Sequence, residues 1–500
     1  MRRTIKRREF LRWTGLVAAG TALPGISTTA KAEARKRPNI IFLMADDLGY
    51  GDLGCYGAEQ IPTPVVDRLA AEGIRFTDAH SPSGVCTPTR YGVLTGRYCW
   101  RSPLKKGVLW GYSPLLPEPA RMTVASMLRD HGYATACVGK WHLGFGNDEK
   151  VDYSKPLRPG PLDVGFDYFF GIPASLDMPP YCFVENDRTV GELSVEKDPY
   201  NTLQRKGPMT PGWEDEEVGP TFVRKAIGFI ERHVKNTPNR PFFLYFPNQA
   251  PHTPCTPVPG IEGHSRAGVR GDMVTEFDWT LDQLLRTLRR LGIDDNTLLI
   301  VTSDNGALTV GPAGWAGEPP EKYDLDHHGH EPNGALRGQK SDVYEGGHRV
   351  PFIAWWPGKI KRGRVSDEPI CLTDLMATCA DVVGARLPDD AGEDSESILP
   401  VLLGNRTDEP IHEAIVHHSG SGMFAIRQGP WKLIQGLGSG GFSAPSRIKP
   451  EPGGPEGQLY NLDDDPQETT NLWSERPEVV RRLSRLLERL QNEGHSRRNL

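Results

Sequence analysis

At 500 residues, with 37 % hydrophobic and 24 % charged side chains, the chain has the apolar content of a globular protein with a sizeable core, which excludes a disordered or collagen-like polymer. Its 55 Gly and 44 Pro point to many loops around a regular scaffold and against a helical bundle. A net charge of −6 argues against nucleic acid as a partner, and eight scattered Cys without a close CxxC pair exclude a disulfide scaffold or a thiolate zinc frame.

The first element is a leader. Residues 1–12 are strongly basic, residues 13–23 are small and apolar, and Ala30-Lys31-Ala32 offers a cleavage site, so residues 1–32 are expected to be a signal peptide. The apolar stretch is shorter than the ~20 residues of a spanning helix, which argues against a stable membrane anchor. Arg7-Arg8-Glu9-Phe10-Leu11 resembles a twin-arginine signal, implying the twin-arginine export machinery as a partner and a bacterial periplasmic or extracellular location. Seven of the 58 basic and one of the 64 acidic residues lie in residues 1–32, so the mature net charge is −12. An anionic substrate must therefore be drawn in by a local cationic pocket.

Four apolar runs read as buried parallel strands, each stopping at a polar cluster. Residues 39–45 end at Asp46-Asp47, residues 135–138 at Gly139-Lys140-Trp141-His142, residues 242–246 at a segment reaching Ala250-Pro251-His252, and residues 298–302 at Ser303-Asp304-Asn305-Gly306. Helical spacing is expected over residues 63–73, 122–132, 222–234 and 273–292. This alternation predicts a doubly wound α/β sheet whose ligands sit at the carboxyl ends of the strands. After residue 408 the pattern changes to short strands at 414–418, 423–428, 431–435 and 459–462, followed by an amphipathic helix over 477–493. The expected organisation is thus an α/β domain over residues 33–408 and a small α+β domain over 409–500.

The most specific segment is Cys86-Thr87-Pro88-Thr89-Arg90, followed by Tyr91-Gly92-Val93-Leu94-Thr95-Gly96-Arg97. Pro two residues after the Cys suits a first helical turn, which sets Cys86 at a helix N-terminus where partial positive charge favours an anion. Asp46, Asp47, Asp304 and Asn305 form an all-oxygen set from two strand ends, the chemistry of a hard cation such as calcium or magnesium.

Cys-x-Pro-x-Arg with the Leu-Thr-Gly-Arg stretch resembles the signature of the formylglycine-dependent (type I) sulfatases, an arylsulfatase-like family of the alkaline phosphatase superfamily. Asp46-Asp47, Gly139-Lys140-Trp141-His142-Leu143-Gly144, Ala250-Pro251-His252, Ser303-Asp304-Asn305-Gly306 and Leu336-Arg337-Gly338-Gln339-Lys340 match family motifs in the family's order. The resemblance implies an alkaline phosphatase-like α/β/α sandwich with a smaller C-terminal domain, and oxidation of Cys86 to formylglycine by a maturation enzyme. It also implies calcium, with magnesium as the alternative, held by Asp46, Asp47, Asp304, Asn305 and the formylglycine at position 86. An aldehyde hydrate explains why a Cys is needed: one hydroxyl attacks sulfur and the other later expels sulfate by C–O cleavage.

The same resemblance distributes further roles. Lys140 and Lys340 are the cations around the sulfuryl group, and Arg90 holds the hydrate. His252, with Lys340, serves the leaving oxygen; His142 takes a proton in the elimination step; Ser175 is a further sulfate or hydrate contact. His328 and His330, shortly before Lys340, are candidates for substrate contact, as are His417 and His418. Trp100, Trp110 and Trp315 are candidate sugar-stacking residues, with core packing as the plain alternative. The expected substrate is a sulfated carbohydrate or small molecule cleaved at an exposed end, with specificity carried by loops 100–120, 176–215, 308–335 and 436–458. Two other readings share these residues: a phosphate or phosphonate ester hydrolase of the same fold, and a non-catalytic binder of sulfated glycans.

Overall fold

Six consecutive apolar residues, Ile40 to Ala45, suit a strand with no solvent-facing side in a sheet covered on both faces, and Asn39–Ala45 takes that place. A computed structural model describes residues 37–201, 203–310, 327–405 and 409–498; the leader and Trp315 lie outside them. Five parallel strands carry the sheet: β1 (Asn39–Ala45), β2 (Ala134–Lys140), β3 (Tyr168–Ile172), β4 (Phe242–Pro247) and β5 (Thr297–Ser303). β1 is central, with Phe42 beside Tyr245 of β4 on one side and Ile300 of β5 on the other. β2 and β3 continue the parallel run beyond β4. Phe352–Trp355 runs antiparallel to β5 and is followed outward by Ile74–Phe76 and Arg364–Ser366; two-residue strands close the opposite edge of this ten-stranded sheet.

Alternate residues of β1 feed two cores. Ile40, Phe42 and Met44 pack with α2 (Cys86–Thr95), α3 (Val124–Asp130) and α6 (Leu375–Val383). Ile41, Leu43 and Ala45 pack with α1 (Pro64–Glu72), α4 (Val218–Asn236) and α5 (Gly268–Leu291). The result is the α/β/α sandwich expected from the sequence. α5 begins at Gly268, ahead of the predicted residue 273, because its first turn carries buried Arg270 and Asp272 in place of an apolar stripe.

Near the carboxyl end, β6 (Ile415–His418), β7 (Phe424–Gln428), β8 (Trp431–Ile434) and β9 (Gln458–Asn461) form an antiparallel sheet in sequence order. Helix α7 (Pro477–Glu493) lays Val479, Leu483, Leu486, Leu487 and Leu490 on it. The sheet meets the rest at several points: Ser83 bridges His418, the Gly84 N–H donates to the His418 carbonyl at 3.1 Å, and Lys432 and Arg427 pair with Glu345 and Asp78 at 2.9 and 2.8 Å.

Candidate active site

β1, β2, β4 and β5 are parallel neighbours, so their carboxyl ends and the polar segments that follow open on one rim of the sheet. The segments are laced together by backbone hydrogen bonds: Asp46 N–H to Ala250 O (3.0 Å), Asn248 N–H to Met44 O (2.8 Å) and Asp304 N–H to Ala45 O (3.1 Å). Asp47 is in the left-handed region (φ 64°), which a short polar side chain tolerates, and its N–H donates to Asp304 Oδ1 at 3.1 Å. Gly306 follows Asn305 because a Cβ there would stand 1.9 Å from the Gly346 carbonyl oxygen.

Helix α2 starts at Cys86, and every one of its residues is buried. Arg90, one turn on, donates from Nε (3.1 Å) and Nη2 (2.7 Å) to Asp304 Oδ2 and from Nη1 to the Lys140 carbonyl (2.8 Å). A fully buried guanidinium is tolerable only with such pairing. Lys140 Nζ grips both oxygens of Asp46 at 2.9 and 2.7 Å. Lys340 Nζ lies 2.6 Å from Asp47 Oδ2 and 2.9 Å from His252 Nε2, and His252 Nε2 is 3.6 Å from the same Asp47 oxygen.

Three cations therefore face three carboxylates. Burial alone would raise every carboxyl, yet Lys140, His252 and Arg90 hold Asp46 well below the ordinary range, and Lys340 does the same, more weakly, for Asp47. Asp304 goes the other way, to about 7, under burial and the neighbouring Asp46 charge. Burial also pushes the Cys86 thiol up, against Lys140 and Lys340. A plain Cys at this position stays a thiol and makes a poor nucleophile.

The donor set fits a divalent cation. Ligand atoms of Asp46, Asp47, Cys86 and His252 all lie within 4.8 Å of one another. Asn305 Nδ2 donates to Asp47 Oδ1 (2.7 Å), while its Oδ1 is buried and has no hydrogen-bond partner among the described residues. An orphaned carboxamide oxygen beside two carboxylates is what a hard cation would complete. With carboxylates and cations balanced, such an ion makes the pocket net positive, the sign an anionic ester requires.

Cys86, His142, Ser175, His252 and Lys340 line one cavity of about 380 Å³. His142 Nε2 faces the Leu109 carbonyl at 2.8 Å, so it carries the proton, and Nδ1 is a lone pair with no partner among the described residues. Burial together with Lys140 and Arg90 holds His142 well below the ordinary imidazole range, so the ring is neutral. Ser175 Oγ is likewise buried without a hydrogen-bond partner among the described residues.

The remaining histidines do not join this group. Neither His328 nor His330 lines the cavity among the described residues; His330 Nε2 lies 2.9 Å from Asp52 Oδ1. His330 is engaged instead by the buried Asp52 carboxylate, which Arg270 also holds. His417 stacks on His348 with ring centroids 3.9 Å apart, and His418 Nδ1 faces the Ser419 carbonyl at 3.0 Å; both are sheet-junction residues away from the cavity lining. Although His80, His348 and His417 have ligand atoms within 4.8 Å of one another, the two stacked rings lie 15° from parallel and cannot aim both lone pairs at one ion. Trp100 packs in the core on Tyr98, whereas Trp110 lines the cavity.

Sequence reading missed Asp52 and Arg270. Arg270 donates from Nη1 and Nη2 to the Asp52 carboxylate (2.9 and 2.7 Å) and from Nη2 to the Asp47 carbonyl (2.9 Å), bracing the Asp46-Asp47 turn from behind. A Gly-Asp-Leu-Gly turn three residues after Leu48 was the available signal, but its buried partner lies more than 200 residues away.

Comparison with known proteins identifies the family. A family model described as Sulfatase matches residues 38–385. The chain is 39 % identical over 490 residues to an N-acetylgalactosamine-6-O-sulfatase of Bacteroides thetaiotaomicron, covering 91 % of this chain and 93 % of the relative. It is 34 % identical over 482 residues to arylsulfatase A of Bos taurus, covering 91 % and 87 %. A solved structure from work on glycosaminoglycan metabolism by Bacteroides thetaiotaomicron superposes with a TM-score of 0.80 at 36 % identity, over 91 % of this chain and 99 % of that one. A phosphonate monoester hydrolase of Agrobacterium radiobacter shares the fold, with a TM-score of 0.60 at 17 % identity over 92 % and 96 %.

Proposed function

Because the chain belongs to the sulfatase family and is a sulfuric ester hydrolase, we propose that it removes 6-O-sulfate from N-acetylgalactosamine at an exposed end of a sulfated glycan. What supports the reaction is the convergence of Asp46, Asp47, Asp304 and Asn305, from two strand ends, beside Cys86 at the head of α2. What supports the substrate is the 39 % identical relative, which acts on that sugar sulfate.

Asp46, Asp47, Asp304 and Asn305 would hold calcium. When present, calcium and formylglycine derived from Cys86 supply a Lewis acid for the sulfate oxygens and a hydroxyl nucleophile for sulfur. The chain's own side chains do the rest. Arg90 fixes Asp304 and the start of α2, so that position 86 and the carboxylates keep one geometry. Lys140 and Lys340 stand where negative charge gathers on the sulfuryl oxygens. The pair His252 and Lys340, 2.9 Å apart, holds the leaving oxygen and delivers its proton. His142 presents Nδ1 as a base while Leu109 keeps its tautomer fixed. Residues 1–32 serve export by the twin-arginine route; among the described residues no helix is long and apolar enough to cross a membrane.

The test is release of free sulfate from N-acetylgalactosamine 6-sulfate, set against release of phosphate from the matching 6-phosphate. A kcat/KM higher for the sulfate by a hundredfold or more is expected; preference for the phosphate ester overturns the reading.

A further inference from the structure

The cavity that Cys86 lines is also walled by Trp110, Asp177 and Arg205, from loops that the reaction chemistry does not use. From this wall we infer that Asp177 is the residue that reads the sugar of the leaving group, with Arg205 as its positioning partner and Trp110 as the apolar face. The inference rests on the reading that the leaving group is a sugar.

The local sequence explains the wall. Asp215 gathers loop 176–215 around itself, accepting from Trp213 Nε1 (2.7 Å) and Gln204 Nε2 (3.0 Å) and pairing with Lys197 (2.9 Å). Gln204 also donates to the Leu176 carbonyl at 2.9 Å, which fastens the two ends of the loop where residues 177 and 205 follow. The Arg205 N–H then donates to the Asp177 carbonyl at 3.0 Å, and the Arg205 guanidinium pairs with Asp177 Oδ2. One carboxylate oxygen is thereby fixed. The other, Oδ1, is buried and has no hydrogen-bond partner among the described residues, on a residue that is 7 % exposed and lines the cavity.

A buried carboxyl oxygen left over from the Arg205 pair calls for a donor, and a ligand in the cavity can supply it. It takes an O–H or N–H and rejects a second sulfate or a carboxylate at that point, because like charge in a low-dielectric wall is costly. Sugar hydroxyls and acetamido N–H groups meet that demand. A simple aryl leaving group offers no donor. Trp110, 51 % exposed with the Arg205 guanidinium 4.8 Å from its ring, lines the same cavity and suits the C–H face of a pyranose. Asp177 thus selects a monosulfated sugar that carries a free donor next to the ester.

The experiment compares kcat/KM for 6-sulfated N-acetylgalactosamine and galactose with kcat/KM for 4-nitrophenyl sulfate, in the mature enzyme and in Asp177→Asn and Asp177→Ala. Loss of a buried hydrogen-bonding partner lowers the sugar-to-aryl ratio by roughly 10- to 100-fold in Asp177→Ala. Asp177→Asn, nearly isosteric, folds with the parent's packing and falls between. An unchanged ratio in both variants, with both rates falling together or neither moving, overturns the assignment of Asp177 and leaves the sugar substrate standing. An enzyme that turns over 4-nitrophenyl sulfate but neither sugar overturns both at once.

Discussion

Arg90 Nη2 lies 2.7 Å from Asp304 Oδ2 with both side chains fully buried, so the helix that bears Cys86 is bolted to the strand end that bears two of the proposed cation ligands. Removing one partner leaves an uncompensated buried charge. Arg90→Ala is expected to lower the unfolding free energy by about 3–5 kcal/mol, and the double variant Arg90→Ala/Asp304→Asn to recover at least about 1 kcal/mol of that loss through their coupling. Denaturant unfolding of the four proteins in a cycle measures both numbers.

The brace behind Asp47 gives a pH signature. Asp52 is fully buried, and although burial would raise it, Arg270 and His330 hold its carboxyl down at about 2, below the ordinary 3.8. The folded value lies beneath the unfolded one, so this contribution is present in full above about pH 4 and is lost as pH falls towards 2. Asp52→Asn is expected to remove about 2 kcal/mol of stability at pH 7 and to flatten the dependence of stability on pH between 4 and 2. Unfolding curves across that range check it.

Chelation is expected to abolish sulfate release and to lower Tm by several degrees, because a cation that binds only the folded state adds stability by mass action. Added calcium should restore both, and Asn305→Ala should raise the calcium concentration needed for half-restoration. Thermal melting against calcium concentration reads this directly.

His142 Nδ1 has no partner among the described residues, Nε2 is committed to the Leu109 carbonyl, and burial keeps the ring neutral. His142→Ala is expected to reduce kcat by about 10²- to 10⁴-fold, the usual worth of a general base, with little change in binding. Protonation of His142 should not limit kcat as pH falls through 6.5. Single-turnover rates from pH 5 to 8 in parent and variant separate these outcomes.

The parts of the fold that sequence reading recovered are those with one unambiguous periodicity. The continuous apolar run of β1 and the helical stripe of α7 coincide with the observed elements, because each buries apolar residues in a pattern that fits a single geometry. Ile74–Phe76 and Phe352–Trp355 are three and four residues long, too short for any period to show. At the site, residues that end strands were legible, since parallel neighbours must share a rim. Asp52 and Asp177 were not. Their roles depend on Arg270 and Arg205, and nothing in the local spacing announces either pairing. His330 is the converse case: its place in the chain before Lys340 singles it out, and the structure pairs it with Asp52.

Peptide mass spectrometry of the segment around Cys86, on protein that releases sulfate, bears most directly on the mechanism. The expected result is a formyl group in place of the thiomethyl side chain, in a fraction of molecules that scales with specific activity. Full activity in protein whose Cys86 is wholly an unmodified thiol would contradict it.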